Sequence, residues 1–409
     1  MTGTSTTAAP DGGDLLRTVP TRPSLFAPAR LCSLQCRCSL DFALLDPPVE
    51  EGRPADRRTT DRRCRCCSSR VRSSCRLVME NVMAAAVVTS LYRYPVKSVG
   101  GTAIDRVHVE ATGLCGDRLF AFVDVESGSP CNAKNPRKYG RMLLCTAYYP
   151  DEPVPGAPLP PVHVRFPDGR VGRQGDDLDD LMSGFLGRRV QLIDTVPEKL
   201  TAEFTWDETS GVEKSGPYAN AVQNSDGDYV STVVLTRRSS RFVDLTPLHI
   251  VSMSSVRHFQ ELAPGANFDA RRYRPSFVVE TPAAGASEEA WVGGSLQAPG
   301  GLRAEVVMVT PRCVMSTLEH APDVPLDRTT LRTLARHNTQ DIPGFGRGAC
   351  LGVYADVAQE GALSVGDALE FRAGSPQEVE ERAARYESSS HRRQREAREL
   401  QQRAAGEVQ

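Results

Sequence analysis

Two short stretches carry the residue types from which a binding or reactive site is built. The first is Tyr94-Pro95-Val96-Lys97-Ser98, followed by Gly116-Asp117-Arg118. A lysine and a serine just past a strand end, with an arginine on the next strand, offer an ammonium, a hydroxyl and a guanidinium to an anion such as a phosphate. Taken alone the pattern is weak, because any surface strand carries Lys and Arg without a ligand. The second stretch runs from Val306 to Met315, where an apolar strand breaks at Thr310-Pro311 and Arg312-Cys313 follow. A cysteine on a loop held by a rigid strand is well placed for chemistry, and the neighbouring Arg312 favours its thiolate. Most single cysteines are small buried hydrophobes instead, and Cys115, Cys131, Cys145 and Cys350 are read that way.

The elements that must position these residues are mostly short strands. Val87 to Tyr92 is β-branched and aromatic. Val107 and Val109 follow, then Leu119 to Val125, and Val162, Val164 and Phe166 alternate before the hairpin signal Pro167-Asp168-Gly169. Asp177 to Leu186 reads as a short helix. Further on, strands are expected at Ser276–Glu280, at Leu302–Val309 and at Leu351–Val357, with a last one opening at Val365-Gly366-Asp367. Ser252 or Ser254 is expected to cap a helix running to Leu262, and Asp327 one through Leu331, Leu334 and Ala335. The organisation that follows is a low-complexity stretch over 1–85, disordered or upstream of the true start, then a β-barrel-like domain over 86–200 and a loop or linker over 201–230. A second β-barrel with peripheral helices over 231–372 comes next, and a charged, helical or disordered tail over 373–409. The fold class is mainly β with peripheral helices.

The chain has 409 residues, with 49 basic against 51 acidic and a net charge of −2. That balance excludes a globally basic nucleic-acid binder and leaves room for a local basic pocket. The longest apolar run, Val82 to Val88, is far short of the roughly 20 residues of a membrane span. Of the twelve cysteines, Cys32, Cys36, Cys38, Cys64, Cys66, Cys67 and Cys75 lie in the first stretch. The segments Cys36-Arg37-Cys38 and Cys64-Arg65-Cys66-Cys67 suggest a metal site, but they sit among arginines with no histidine before His108, and disorder is the favoured reading. Without a short secreted framework, the expectation is free thiols in a reducing compartment, the cytoplasm. The acidic residues Asp41, Asp46, Glu50, Glu51, Asp56 and Asp61 argue against a transit peptide.

The two reactive stretches belong to a longer ordered pattern: Tyr-Pro-Val-Lys-Ser, Asp-Arg, Arg274-Pro275 opening a strand, Trp291-Val292-Gly293, and Pro311-Arg312-Cys313. Over about residues 87–372 this resembles the MOSC-domain proteins with an N-terminal β-barrel partner, the group containing the mitochondrial amidoxime-reducing component. The resemblance implies a molybdenum–molybdopterin cofactor, with Cys313 as the metal ligand, a soft thiolate for a thiophilic metal. It also implies that Lys97, Ser98, Arg118 and Arg274 contact the cofactor's phosphate, with Thr246 a hydroxyl nearby. Three positions depart from the mitochondrial branch: Leu245 and Pro311 replace Thr and Ser, and Arg272 replaces a neutral residue, so a rearranged anion pocket is expected.

The activity implied is an oxidoreductase acting on small N-hydroxylated substrates. Only Cys350 follows Cys313, too few thiols for an iron–sulfur cluster in cis, so electrons come from a separate protein of the cytochrome b5, ferredoxin or flavoprotein reductase kind. His249, His258 and His337 are proton-shuttle candidates by position. The alternative is a cofactor-handling or sulfur-carrier protein with a persulfide on Cys313. That role usually accompanies a pyridoxal-phosphate-binding domain, of which this sequence has no trace. No nucleic-acid partner is expected.

Residues 1–82 lack sustained periodicity and precede the first credible strand. A chain beginning at Met83 is expected to melt within a few degrees of full length by circular dichroism. Loss of soluble protein on this truncation would revive a metal site at Cys64, Cys66 and Cys67.

Overall fold

The computed structural model describes residues 86–197, 199–206, 221–223, 229–236, 240–342 and 346–382. The expectations for 1–85 and for the tail beyond 382 lie outside them.

The strand Ala86–Arg93 alternates buried Ala86, Val88 and Leu91 with outward Val87 and Thr89, a period of two that turns one face to a core. It pairs antiparallel with Phe277–Glu280, placing Leu91 opposite Phe277, and on its other side with Ala368–Arg372, placing Val87 opposite Ala368. The ladder continues through Ser295–Gln297, Arg303–Pro311, Gly346–Gln359 and Leu248–Ser252, and returns to Phe277–Glu280. Seven strands thus close into a barrel and leave no open edge among themselves. The pair Leu248–Ser252 and Phe277–Glu280 is parallel. A parallel pair requires a crossover, and the helix Met253–Leu262 supplies it, capped by the Ser252 hydroxyl accepting from Ser255 N–H. Leu91, Ile250, Phe277, Leu296, Val306 and Val353 meet inside the barrel.

The expected division into successive domains at 86–200 and 231–372 needs correction, because hydrogen bonding interleaves them. Ala86–Arg93, first in sequence, is a stave of the second barrel. Conversely, the late strand Gly361–Ser364 pairs with Arg106–Glu110. The apolar face of Ala86–Arg93 marks it as a strand but does not say whose core it fills. The rest of the N-terminal part is built of small sheets. Thr146–Tyr148, His163–Arg165 and Val171–Arg173 form a meander, with the expected turn between the last two, and Ala121–Asp124 pairs with Val190–Ile193. They share a core of Val96, Phe122, Met142, Val164 and Met182 with the helix Leu178–Leu186.

Within the expected linker 201–230, the described residues are largely strand. Lys199–Trp206 pairs antiparallel with Tyr229–Thr236, and Val222–Gln223 adds a third strand. The β-favouring Thr201, Phe204, Thr205 and Trp206 were concealed by the polar average of the stretch. The helix assigned to an Asp327 cap runs Thr329–His337, and Asp327 Oδ1 accepts from Thr329 N–H at 2.7 Å. The described part of the tail is helical over 376–382, as expected, and largely exposed, with Arg382 as its anchor: 7% exposed, it donates to the Gly294 carbonyl at 3.1 Å and pairs with Glu305 at 3.3 Å. Among the described residues no helix is long and apolar enough to cross a membrane.

Leu91 is 1% exposed at the centre of the shared stave. Leu91→Ala is expected to cost about 2–5 kcal/mol in urea unfolding. A loss below about 1 kcal/mol would mean that the barrel does not depend on its first strand.

Candidate functional site

The chain leaves the barrel at the end of Ala86–Arg93, and the next residues are stitched to the segment after Gly116. Tyr94 N–H donates to Asp117 Oδ1 at 2.7 Å, Arg118 N–H to the Tyr94 carbonyl at 2.7 Å, and Lys97 N–H to the Phe120 carbonyl at 2.8 Å. Asp117, 1% exposed, also pairs with the Arg118 guanidinium. One buried carboxylate therefore fixes both motifs, which explains why the aspartate stands between glycine and arginine. Arg118 Nη2 in turn donates to the Arg274 carbonyl at 3.0 Å, and Arg274 Nη1 to the Val99 carbonyl at 2.7 Å. The Tyr94 ring lies 4.8 Å from the Arg118 guanidinium and 4.2 Å from that of Arg274, so its π-face offsets some of the repulsion between two cations.

Several of these residues line a solvent-open cleft whose empty space, open solvent included, is about 740 Å³. Lys97, Ser98, Arg118, Thr246, Arg274 and Cys313, the six residues singled out from the sequence, all border it. Lys134, Arg272 and Arg312 bring the basic side chains to six, against a single lining carboxylate, Asp244. In a chain of net charge −2, this is the local basic pocket that the overall balance could not display. Its backbone is strained as well. Ser98, Arg118 and Arg274 are the non-glycine residues with positive φ among those described, at 61°, 50° and 53°. The left-handed region costs an ordinary residue about 1–2 kcal/mol, and such strain collects where function over-determines the conformation.

Burial and the neighbouring Arg118 charge lower Arg274 to about 10, and burial lowers Lys97 against the pull of Asp244. Lys97 Nζ bonds Asp244 Oδ1 at 2.7 Å and the Phe242 carbonyl at 3.2 Å, while Lys134 Nζ bonds Asp244 Oδ2 at 2.8 Å. Burial raises the Asp244 carboxyl, but the Lys134 and Lys97 charges prevail and hold it well below the usual carboxylate range.

On the opposite wall the Arg303–Pro311 strand loses register against Gly346–Gln359 between Val306 and Met308 and again between Val309 and Pro311. The chain then turns into the short 3-10 segment Val314–Thr317, with half-buried Cys313 at its start and its carbonyl accepting from Ser316 Oγ at 2.9 Å. Arg272 secures this turn from behind. Only 1% exposed, it donates to the carbonyls of Asn267 at 2.6 Å, Pro325 at 2.5 Å and Leu318 at 3.2 Å. The expected rearrangement of the anion pocket by Arg272 is thereby corrected, since most of its donors are committed to backbone. Leu245 and Pro311 do not border the cavity; Leu245 packs against the cluster of Met308, Val309, Ile342 and Cys350.

His249 also borders the cavity and accepts from Arg312 Nη1 at 3.3 Å, because a guanidinium has no acceptor atom. Burial, then the charges of Arg312 and Arg118, hold its pKa well below the ordinary histidine value. Its ring, 5.5 Å from Tyr354, approaches Gly352 so closely that a Cβ there would stand 2.7 Å from Nε2, at φ +81°. His258 and His337 lie on helices and do not border the cavity, which removes them as candidates. Trp291 belongs to the barrel core. Asn132, Lys134 and Tyr273 were missed from the sequence. Their only local signal was position after a strand or before Arg274, whereas their place in the site comes from packing between distant segments.

Comparison with known proteins finds two family matches along the chain. The family described as the MOSC N-terminal beta barrel domain matches residues 85–155, and the MOSC domain family matches residues 237–370. No curated protein matches the chain. Among solved structures, the YUAD protein from Bacillus subtilis is 10% identical with a TM-score of 0.35, covering 71% of this chain and 97% of its own. That likeness is too distant to carry an argument.

Cys115, Cys131, Cys145 and Cys350 are buried, and burial raises all four thiols, the last three to about 12. A raised thiol forms little thiolate near neutral pH and reacts slowly. Iodoacetamide on the native protein is expected to label Cys313 ahead of these four, by peptide mass mapping. Earlier labelling of any buried four would contradict the exposure of the Cys313 turn.

Proposed function

As a chain that carries a MOSC N-terminal beta barrel domain and a MOSC domain, this protein is one in which we propose that the cavity holds a molybdenum–molybdopterin cofactor and reduces small N-hydroxylated substrates with electrons from a separate donor protein. The observation that carries this reading is the meeting of six basic side chains and a half-buried thiol at one cavity. The donor set fits the group. A phosphate needs ammonium, guanidinium and hydroxyl donors in a partly dry site, and a thiophilic metal needs a thiolate. Two further donors fit it too. Asn132 Nδ2 and Tyr273 OH are buried without a hydrogen-bond partner among the described residues, and both residues border the cavity.

In this reading Lys97, Ser98, Arg118, Arg274 and Thr246 hold the organic part, and Cys313 ligates the metal. When bound, the group supplies the two-electron oxygen-atom chemistry that breaks an N–O bond. The chain's own residues do the rest. Tyr94 and Asp117 keep Arg118 and Arg274 close together in spite of their repulsion. Arg272 holds the Cys313 turn against the wall. His249 keeps a lone pair on Nε2 toward Arg312, so this nitrogen orients the guanidinium and carries no proton to deliver. The overall reaction takes up two electrons and two protons and releases the reduced base and water.

Protein from a host able to make molybdopterin is expected to contain molybdenum by elemental analysis and to oxidise reduced viologen when an amidoxime is added. Cys313→Ser is expected to lower that rate at least a hundredfold while the circular dichroism spectrum is unchanged. An equal rate for the serine variant would sink the ligand assignment. Molybdenum-replete protein that is inactive across an acceptor panel, yet gathers cyanide-labile sulfur on Cys313 in the presence of a desulfurase and cysteine, would show a sulfur carrier instead.

A further inference from the structure

The cavity contains its own anion. Asp244 is the lining carboxylate, and it bridges the two lysines: Oδ1 lies 2.7 Å from Lys97 Nζ and Oδ2 lies 2.8 Å from Lys134 Nζ. Lys97 is nearly buried, its side chain 7% exposed, whereas that of Asp244 is 34% exposed. Two fixed cations thus hold an acid with a path to solvent. Beside them, Asn132 is 2% exposed and its Nδ2 has no partner among the described residues. The amide is not free to turn over, since Oδ1 accepts from the Lys134 N–H at 3.1 Å. A buried donor left unmade costs about 1–3 kcal/mol, and one lining a basic cavity points to an acceptor that the described residues do not supply. A single carboxylate satisfies the two lysines but leaves the third donor idle. A phosphate has enough oxygens for all three.

We propose that Asp244 is a built-in stand-in for the ligand's phosphate: it bridges Lys97 and Lys134, and a phosphate-bearing ligand binds by displacing it and engaging Asn132 Nδ2 as well. Binding is then an exchange of one anion for another at the same two ammonium groups. The exchange keeps two like charges from facing each other unscreened in a half-dry cavity when no ligand is present. It also sets specificity, because a ligand bearing one carboxylate gains little over Asp244, whereas a phosphate gains a third donor. This inference rests on the reading that the cavity receives a phosphate-bearing group, and it adds a role for Asp244, Lys134 and Asn132 that is independent of the metal.

The test uses full-length protein from a host unable to make molybdopterin and titrates inorganic pyrophosphate by calorimetry. Asp244→Asn is expected to bind pyrophosphate on the order of tenfold more tightly than wild type. Lys134→Gln should weaken binding several-fold more in the Asp244→Asn background than in wild type, where that lysine is partly spent on the aspartate. Equal affinities for wild type and Asp244→Asn, or equal losses on Lys134→Gln in both backgrounds, would overturn the exchange while leaving the phosphate site standing. Binding by neither protein would overturn both the exchange and the phosphate reading. If Asp244→Asn does not fold, Asn132→Asp decides in its place. It keeps the acceptor for Lys134 N–H and replaces the idle donor with a repelling oxygen, so pyrophosphate binding should fall at least tenfold, and unchanged binding would overturn the subsite.

Discussion

Everything at the cavity depends on where the strand Ala86–Arg93 is hydrogen-bonded. It lies between Phe277–Glu280 and Ala368–Arg372 as one stave of the closed barrel. Its end therefore delivers Tyr94 to Ser98 near Arg274, which lies just ahead of the neighbouring strand Phe277–Glu280. A barrel cannot slide one stave without breaking two ladders, so the relation between Lys97, Arg118 and Arg274 is held as firmly as the core. Had this strand stayed with the small N-terminal sheets, the lysine and the cysteine would have no reason to share a cavity.

Gathering six cations into one partly buried space is electrostatically unfavourable, and the structure shows how the cost is offset. Asp117 neutralises Arg118 from below, Tyr94 offers its ring to two guanidiniums, and Arg272 spends most of its donors on carbonyls. Asp244 holds the two lysines. What remains is visible as a lowered Arg274 and as positive φ at Ser98, Arg118 and Arg274. The surrounding barrel supports that strain, because each of these residues sits within a few positions of a strand or is hydrogen-bonded to a segment that does.

The Cys313 side solves a different problem. A regular strand would carry Arg312 and Cys313 onward along the barrel wall. The last two of three register shifts in the preceding ladder and the proline at 311 end it there, as bulges beside functional sites commonly do. Gly352, on the facing strand, gives the room that lets the His249 ring approach the wall, and its positive φ is the price of that approach.

How much of this was legible in the sequence follows from which interactions are local. Strand alternation at Ala86–Arg93, the turn at Pro167-Asp168-Gly169, the Ser252 cap and the break after Thr310 are all set by residues within a few positions of one another. For that reason the β-rich class, most elements and the candidates Lys97, Ser98, Arg118 and Cys313 could be named without coordinates, whereas Thr246 and Arg274 were implied by the family resemblance. The interleaving of the two domains, the strands at Lys199–Trp206 and Tyr229–Thr236, and the docking of Arg382 were not legible. Neither were the parts played by Asn132, Lys134, Asp244 and Arg272. A strand's sequence records that it has an apolar face but not which core receives it, and a charged side chain records its charge but not its partner. Those choices are made by pairing between segments far apart in the chain, such as the 147 positions between Lys97 and Asp244, and only the closed barrel decides them.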